Sequence, residues 1–219
     1  MDAREFVAGL VSEMRALFAG LGEQGALEGE SQGRVEIPTL LELAMTSELE
    51  AADLAAFWLP TTTEIDAREI FAGQCGDEMK HYRLIVDRLA ALGHPVVAAE
   101  PASAAFSPLY PYLKELRTTA ERMAAGPFAR EAIAEVRNAQ FIALCDRQGD
   151  RETARLYREI IQPEEIEHHR AGRAWLERHV TGEAEQELVA RAARTTLAIA
   201  DELSTLAQKS AGPHPIPSS

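Results

Sequence analysis

Two short motifs hold the residues best suited to chemistry. Glu78 and His81 stand three apart in DEMKH, and Glu165 and His168 stand three apart in EEIEH. On a helix these positions share a face, so a carboxylate and an imidazole at that spacing can close on one metal ion. One such pair means little in a chain with 35 acidic residues. Two further glutamates strengthen the signal. Glu48 precedes Glu78 by the same interval as Glu135 precedes Glu165, so one offset carries Glu48, Glu78 and His81 onto Glu135, Glu165 and His168. The same offset relates Asp77 to Glu164, Arg68 to Arg155, Arg83 to Arg170 and Gly76 to Pro163. The chain reads as two diverged copies of one helical hairpin. The interval is about 15 residues up and 15 down at roughly 1.5 Å per residue, which brings the two glutamates of each hairpin to similar height.

The faces agree with this. One and two turns from Glu48 lie Leu41, Ala44, Met45, Ala51, Ala52 and Ala55, all apolar. Glu50 neighbours Thr46, Ser47 and Asp53 and is expected to face water. Glu78 neighbours Phe71, Cys75 and Ile85. Glu135 neighbours Phe128, Ala132, Ala139 and Ile142, with Asn138 polar, and Glu131 one turn earlier is the alternative ligand on that helix. Four carboxylates converging among apolar side chains would repel one another and stay partly protonated. Two divalent cations cancel that charge, and oxygen plus imidazole donors suit iron or manganese.

The elements that must position these groups are helical throughout. Phe6, Val7, Leu10, Val11, Met14, Leu17, Phe18 and Leu21 form one stripe, so residues 1–27 hold an N-terminal amphipathic helix. Residues 22–36 read as a loop. Hairpins follow over 38–92 and 128–180, with Pro38 in a first turn, a threonine of Thr61–Thr63 as a cap, Gly93 as a stop and Asp150 as an N-cap. Residues 109–125 form a crossover helix, broken by Gly126-Pro127. A C-terminal helix spans 183–209, and 210–219 read as a disordered tail. No segment has convincing strand periodicity. The expected fold is all-α: a four-helix bundle of two antiparallel hairpins over 38–180, with extra N-terminal, crossover and C-terminal helices.

Composition limits the function. The net charge is −13, which argues against DNA as a partner, and the Arg117–Arg137 segment, with Arg122 and Arg130, is the one candidate basic patch. Cys75 and Cys145 cannot build a disulfide framework and suit a reducing cytoplasm. The N-terminus shows no leader pattern, so no secretory leader is expected, and with no membrane-length apolar run, CxxC pair, GxGxxG or P-loop motif, neither a rubredoxin centre nor a nucleotide fold is expected.

The two Glu-x-x-His helices with a glutamate on each partner helix resemble the ferritin-like di-iron carboxylate superfamily over residues 38–180. The resemblance implies six ligands: Glu48, Glu78 and His81 on one metal, and Glu135, Glu165 and His168 on the other, with the glutamates of the two motifs bridging. DEMKH is also similar to the Asp-Glu-x-Arg-His signature of bacterial multicomponent monooxygenases and phenylacetyl-CoA-epoxidase-like proteins. Lys80 and Glu167 stand where that signature has arginine. By this resemblance Asp77 and Glu164 hydrogen-bond the metal-bound histidines and fix their tautomers.

The implied function is an oxidoreductase with two iron ions, manganese being the alternative at either position. It would activate O2 or peroxide and oxidise or hydroxylate a small or carrier-bound organic substrate. A separate reductase would supply electrons, and a homodimer is expected. The alternative is ferritin-type iron oxidation and storage without an organic substrate. Tyr82, His169, Cys75 and Tyr157 lie near the motifs and are read as packing residues. Phe57, Trp58, Phe71 and Phe141 are candidates for a tunnel lining but are read as core.

Overall fold

A computed structural model describes residues 1–21, 36–96 and 106–210. The loop read over 22–36 and the tail over 210–219 fall almost wholly outside the described residues. The order of elements is α1 (Ala3–Leu21), α2 (Ile37–Trp58), a 3-10 turn (Leu59–Thr61), α3 (Ile65–Ala91), α4 (Leu109–Glu115), α5 (Thr119–Met123), a π-helical segment (Ala124–Arg130), α6 (Glu131–Gln148), α7 (Arg151–Leu156), a second π-helical segment (Tyr157–Ile161), α8 (Gln162–His179) and α9 (Glu183–Ser210). No strand occurs among the described residues, and the fold is an all-α bundle. Helices α2 and α3 form one antiparallel hairpin. The second hairpin pairs α6 with the arm built from α7, the second π-helical segment and α8.

The ends of these helices follow from local chemistry. Pro38 sits in the first turn of α2, where its missing N–H costs nothing. Gly93 and Gly149 follow α3 and α6 with φ of 84° and 80°, a conformation that strains any residue with a Cβ. The Asp150 side chain accepts from the Thr153 N–H and starts α7.

Two local expectations change. The residue capping α3 is Glu64, whose side chain makes no capping bond, while the Thr61 and Thr62 hydroxyls donate back to the Trp58 carbonyl. The break in the crossover falls at Leu116–Thr118, not at Gly126-Pro127. Leu116 is extended, and Thr118 and Glu121 form a reciprocal capping box that restarts the helix. Pro127 lies within the π-helical segment that runs straight into α6.

The stripe of α1 (Val7, Leu10, Val11 and Met14) is buried against α8 and α9 of the same chain. The interior splits into two apolar clusters. One contains Leu54, Trp58, Phe71, Met123, Phe128 and Trp175, and the other Leu41, Ile85, Phe141, Leu144, Tyr157 and Ile161. Along α2, α3 and α8, the charged residues of interest fall between the two.

Candidate metal centre

Glu48 stands two turns from Leu41 on one side and Ala55 on the other. Glu78 is likewise flanked by Phe71 and Ile85, and Glu165 and His168 lie between Ile161 and Trp175. Each helix therefore presents one polar layer inside an apolar face, and the bundle stacks these layers at one height. Glu48, Glu78, His81, Glu131, Glu165 and His168 are all buried there.

They form two groups that can hold a metal ion, Glu48 with Glu78, Glu165 and His81, and Glu131 with Glu78, Glu165 and His168. Within each group the donor atoms lie within 4.8 Å of one another. His81 Nδ1 is 3.3 Å from Glu78 Oε2, 3.5 Å from Glu165 Oε1 and 3.9 Å from Glu48 Oε2. His168 Nδ1 is 3.3 Å from Glu165 Oε2 and 3.5 Å from Glu78 Oε1. Glu78 and Glu165 thus turn one oxygen toward each histidine. Ligands held at roughly 2.1 Å from one ion stand about 3 to 3.5 Å from one another, so the donor set fits an ion in each group.

One expected ligand falls outside the cluster, and the alternative on its helix falls inside. Glu135 is only half-buried and belongs to neither group, and Glu131 occupies the place expected for it. The register of the second hairpin explains the change. Gln162 Nε2 donates to the Glu135 carbonyl at 3.0 Å, which sets Glu135 beside the turn that precedes Glu165. Glu131, one turn earlier, then comes level with Glu165. The π-helical turn at Tyr157–Ile161 also takes up chain in the return arm, a device the first hairpin lacks.

Two residues that sequence reasoning missed, in these roles, hold Glu131. Gln74 Nε2 donates to Glu131 Oε1 at 2.6 Å and reaches Glu78 Oε1 at 3.3 Å. Arg130 donates to the same Glu131 oxygen at 3.2 Å and to the Ser47 carbonyl at 2.7 Å. Glu131 Oε2 is buried and makes no hydrogen bond. The findable signal for Gln74 was its place one turn before Glu78, on the same face.

The outer acids cross between the hairpins. Glu164, from the motif of His168, lies 2.8 Å from His81 Nε2, and Asp77, from the motif of His81, lies 3.4 Å from His168 Nε2. An acid on Nε2 keeps a proton there and turns the Nδ1 lone pair toward the carboxylates. Lys80 bridges the two acids, at 2.9 Å from Asp77 and 2.6 Å from Glu164.

Without a cation the cluster distributes protons internally. Burial works against charge on His81, but its bonds to Glu165, Glu48 and Glu78 raise its pKa well above the ordinary imidazole value. His168 is raised too, its burial outweighed by Glu165 and Glu78. Burial lifts Glu48 and outweighs the bond to His81, with repulsion from Glu165 and Glu78 acting in the same direction as burial. Burial and Glu165 lift Glu131 against the pull of Arg130. Glu165 goes the other way, because bonds from His168 and His81 outweigh its burial.

The remaining candidates are placed as follows. Glu50, expected to face water, is buried and accepts from the Ser107 N–H and hydroxyl at 2.7 and 2.9 Å. Ser47 and Asp53 are themselves exposed, and Glu50 is covered by the chain at Ser107, a contact its neighbours along the helix do not report. Tyr157 is buried with an unbonded hydroxyl, and burial together with the charges of Glu48, Cys145 and Glu165 keeps its phenol protonated. His169 packs, stacked on Phe128 and donating from Nδ1 to the Phe128 carbonyl at 2.7 Å. Phe57 is exposed, while Trp58 and Phe71 pack together in the core. In the candidate basic patch, Arg122 is buried and bonded to Leu116 and Thr61. A surface cavity of about 370 Å³, lined by Glu42, Met45, Thr46, His94, Pro95 and Val96, contains none of the clustered ligands.

Among the described residues, no helix is long and apolar enough to cross a membrane. In comparisons with known proteins, no family model, curated protein or solved structure matches the chain.

Proposed function

We propose that the chain is a di-metal carboxylate oxidoreductase of the ferritin-like kind, which holds two iron ions and activates O2 or peroxide. The observation that carries this reading is the sharing of Glu78 and Glu165. Each gives one oxygen to the group around His81 and the other to the group around His168. Two carboxylates placed between two donor sets suit a pair of ions. Bound iron would supply the redox chemistry and the Lewis acidity.

The chain's own residues do the rest. Glu48 and Glu131 each serve one position. Glu164 and Asp77 hold the proton on Nε2 of His81 and His168 and so orient the rings. Lys80 neutralises the two outer acids together. The apolar clusters on either side exclude water from the layer. An organic substrate and a separate electron-donating reductase complete the proposed reaction.

Metal content tests the reading. Purified protein reconstituted anaerobically with Fe(II) is expected to hold about two iron ions per chain. On exposure to O2 it should develop the charge-transfer absorption of oxidised iron carboxylates. Reconstituted protein that retains no iron would overturn the proposal.

A further inference from the structure

The two donor groups are built alike from shared carboxylates, but their surroundings differ in charge. Arg130 is nearly buried, its side chain 11% exposed, and its guanidinium lies against Glu131. It is anchored on the far side by the carbonyl and hydroxyl of Ser47, at 2.7 and 3.0 Å, so it cannot swing away without losing both bonds. The guanidinium stays charged at any working pH. Arg130 and Gln74 together occupy Glu131 Oε1, which leaves Oε2 as the one bare oxygen of that carboxylate. Glu48 pairs instead with His81, at 3.9 Å, and the Arg130 charge acts on it more weakly than on Glu131. The outer acids act in the same direction. The Glu164 contact to His81 is 2.8 Å and the Asp77 contact to His168 is 3.4 Å, so His81 is the better supported donor.

We propose that Arg130 makes the two metal positions unequal, so that the Glu48/His81 position fills first and the Glu131/His168 position fills second and more weakly. The inference rests on the di-metal reading. A fixed positive charge beside Glu131 repels an arriving dication and weakens that carboxylate as a donor. Arg130 is thus a positioning residue. It holds Glu131 to one oxygen and sets the order of loading.

Mn(II) titration tests the proposal, with uptake followed by equilibrium dialysis and spin state by electron paramagnetic resonance. Wild-type protein is expected to bind two ions in two steps whose dissociation constants differ by about tenfold or more. At one equivalent the spectrum should be that of isolated Mn(II), and it should give way to a coupled pair as the second equivalent binds. His168→Ala should remove the weak step and His81→Ala the tight one. Arg130→Gln should merge the steps, and Arg130→Lys, which keeps the charge, should hold them apart. The histidine variants decide the order with Arg130 intact, so the test survives a poorly folding Arg130→Gln. Two ions bound in a single step by wild type, or loss of the weak step in His81→Ala, would overturn the inference and leave the di-metal reading standing. Wild-type protein that binds fewer than two ions would overturn both.

Discussion

A carboxylate buried between helices must be neutralised, and Glu131 shows how this is divided. One oxygen is held by Gln74 and Arg130, and the other is bare. A bare buried carboxylate oxygen costs about 1–3 kcal/mol or more unless a proton or a cation takes it. Glu131 is therefore placed to serve the proposed site, whereas Glu135 lies outside the cluster. Glu131→Ala is expected to bind about one metal ion fewer per chain than wild type, and Glu135→Ala to bind as many as wild type. Elemental analysis of the two reconstituted variants checks this, and the opposite pattern would return Glu135 to the ligand set. The other five clustered residues were legible because each stands in an apolar stripe at helical spacing, and the offset between the hairpins holds for Glu78 with Glu165 and His81 with His168. It fails for Glu48 because register depends on where a neighbouring helix docks, here through Gln162 and the Glu135 carbonyl. No periodicity within a single helix encodes that contact.

At the scale of elements, the π-helical segment Ala124–Arg130 delivers Arg130 and Glu131 to the layer, and α8 holds it in place. A Cβ at Gly172 would lie 2.8 Å from the Phe128 nitrogen and 2.8 Å from the Pro127 carbonyl carbon, so α8 packs directly on the segment's backbone. One turn earlier His169 bonds the Phe128 carbonyl and stacks on its ring. Backbone atoms cannot give way as a flexible side chain can. Gly172→Ala should therefore lower stability by about 1–3 kcal/mol. It should also weaken metal uptake at the His168 position more than at the His81 position. Gly73→Ala, at an exposed position of α3 where nothing lies within 4 Å, is the contrast. It should raise stability by up to about 1 kcal/mol through helix propensity alone. Thermal denaturation and Mn(II) dialysis of both variants check the pair, and equal effects would mean that the close approach at Gly172 is not structurally important. Gly126-Pro127 marks this segment in the sequence, where it predicts a break that the structure replaces with a π-helical turn. Glycine and proline report that an ordinary α-helix is disturbed, not whether the chain turns away or passes through a wider coil.

Over the whole molecule, the polar layer is held between two apolar clusters, and the ends of the bundle need their own fastening. The all-α class and the paired hairpins follow from periodicity, but the contacts that join distant helices at the ends leave no such pattern. Asp66, in the first turn of α3, is one of these. It accepts from Trp175 Nε1 at 3.0 Å, His179 Nε2 at 2.9 Å and Arg178 at 3.2 Å, all near the end of α8. Partial burial works against its charge, but the bonds from His179, Trp175 and Arg178 outweigh this and lower its pKa to about 2. An unfolded aspartate titrates near about 3.9. The fold therefore favours the ionised form, and the clamp's contribution is complete above about pH 5 and is lost as pH falls from about 4 to about 2. Asp66 is substantially exposed, so solvent screening keeps the effect modest. Asp66→Asn should lower the melting temperature relative to wild type at pH 6 to 7, and the gap should close on acidification, because wild-type Asp66 then carries a proton and donates where it had accepted. Melting curves of the two proteins between about pH 7 and pH 2 check this. A gap that stays constant over that range would show that the carboxylate's charge does not fasten α3 to α8. The proposed metal site should not respond to this change, since the bonds of Asp66 to α8 lie at the bundle's end and involve none of the six clustered residues. Equal metal content in Asp66→Asn and wild type would thus separate the fastening of the fold from the filling of the layer.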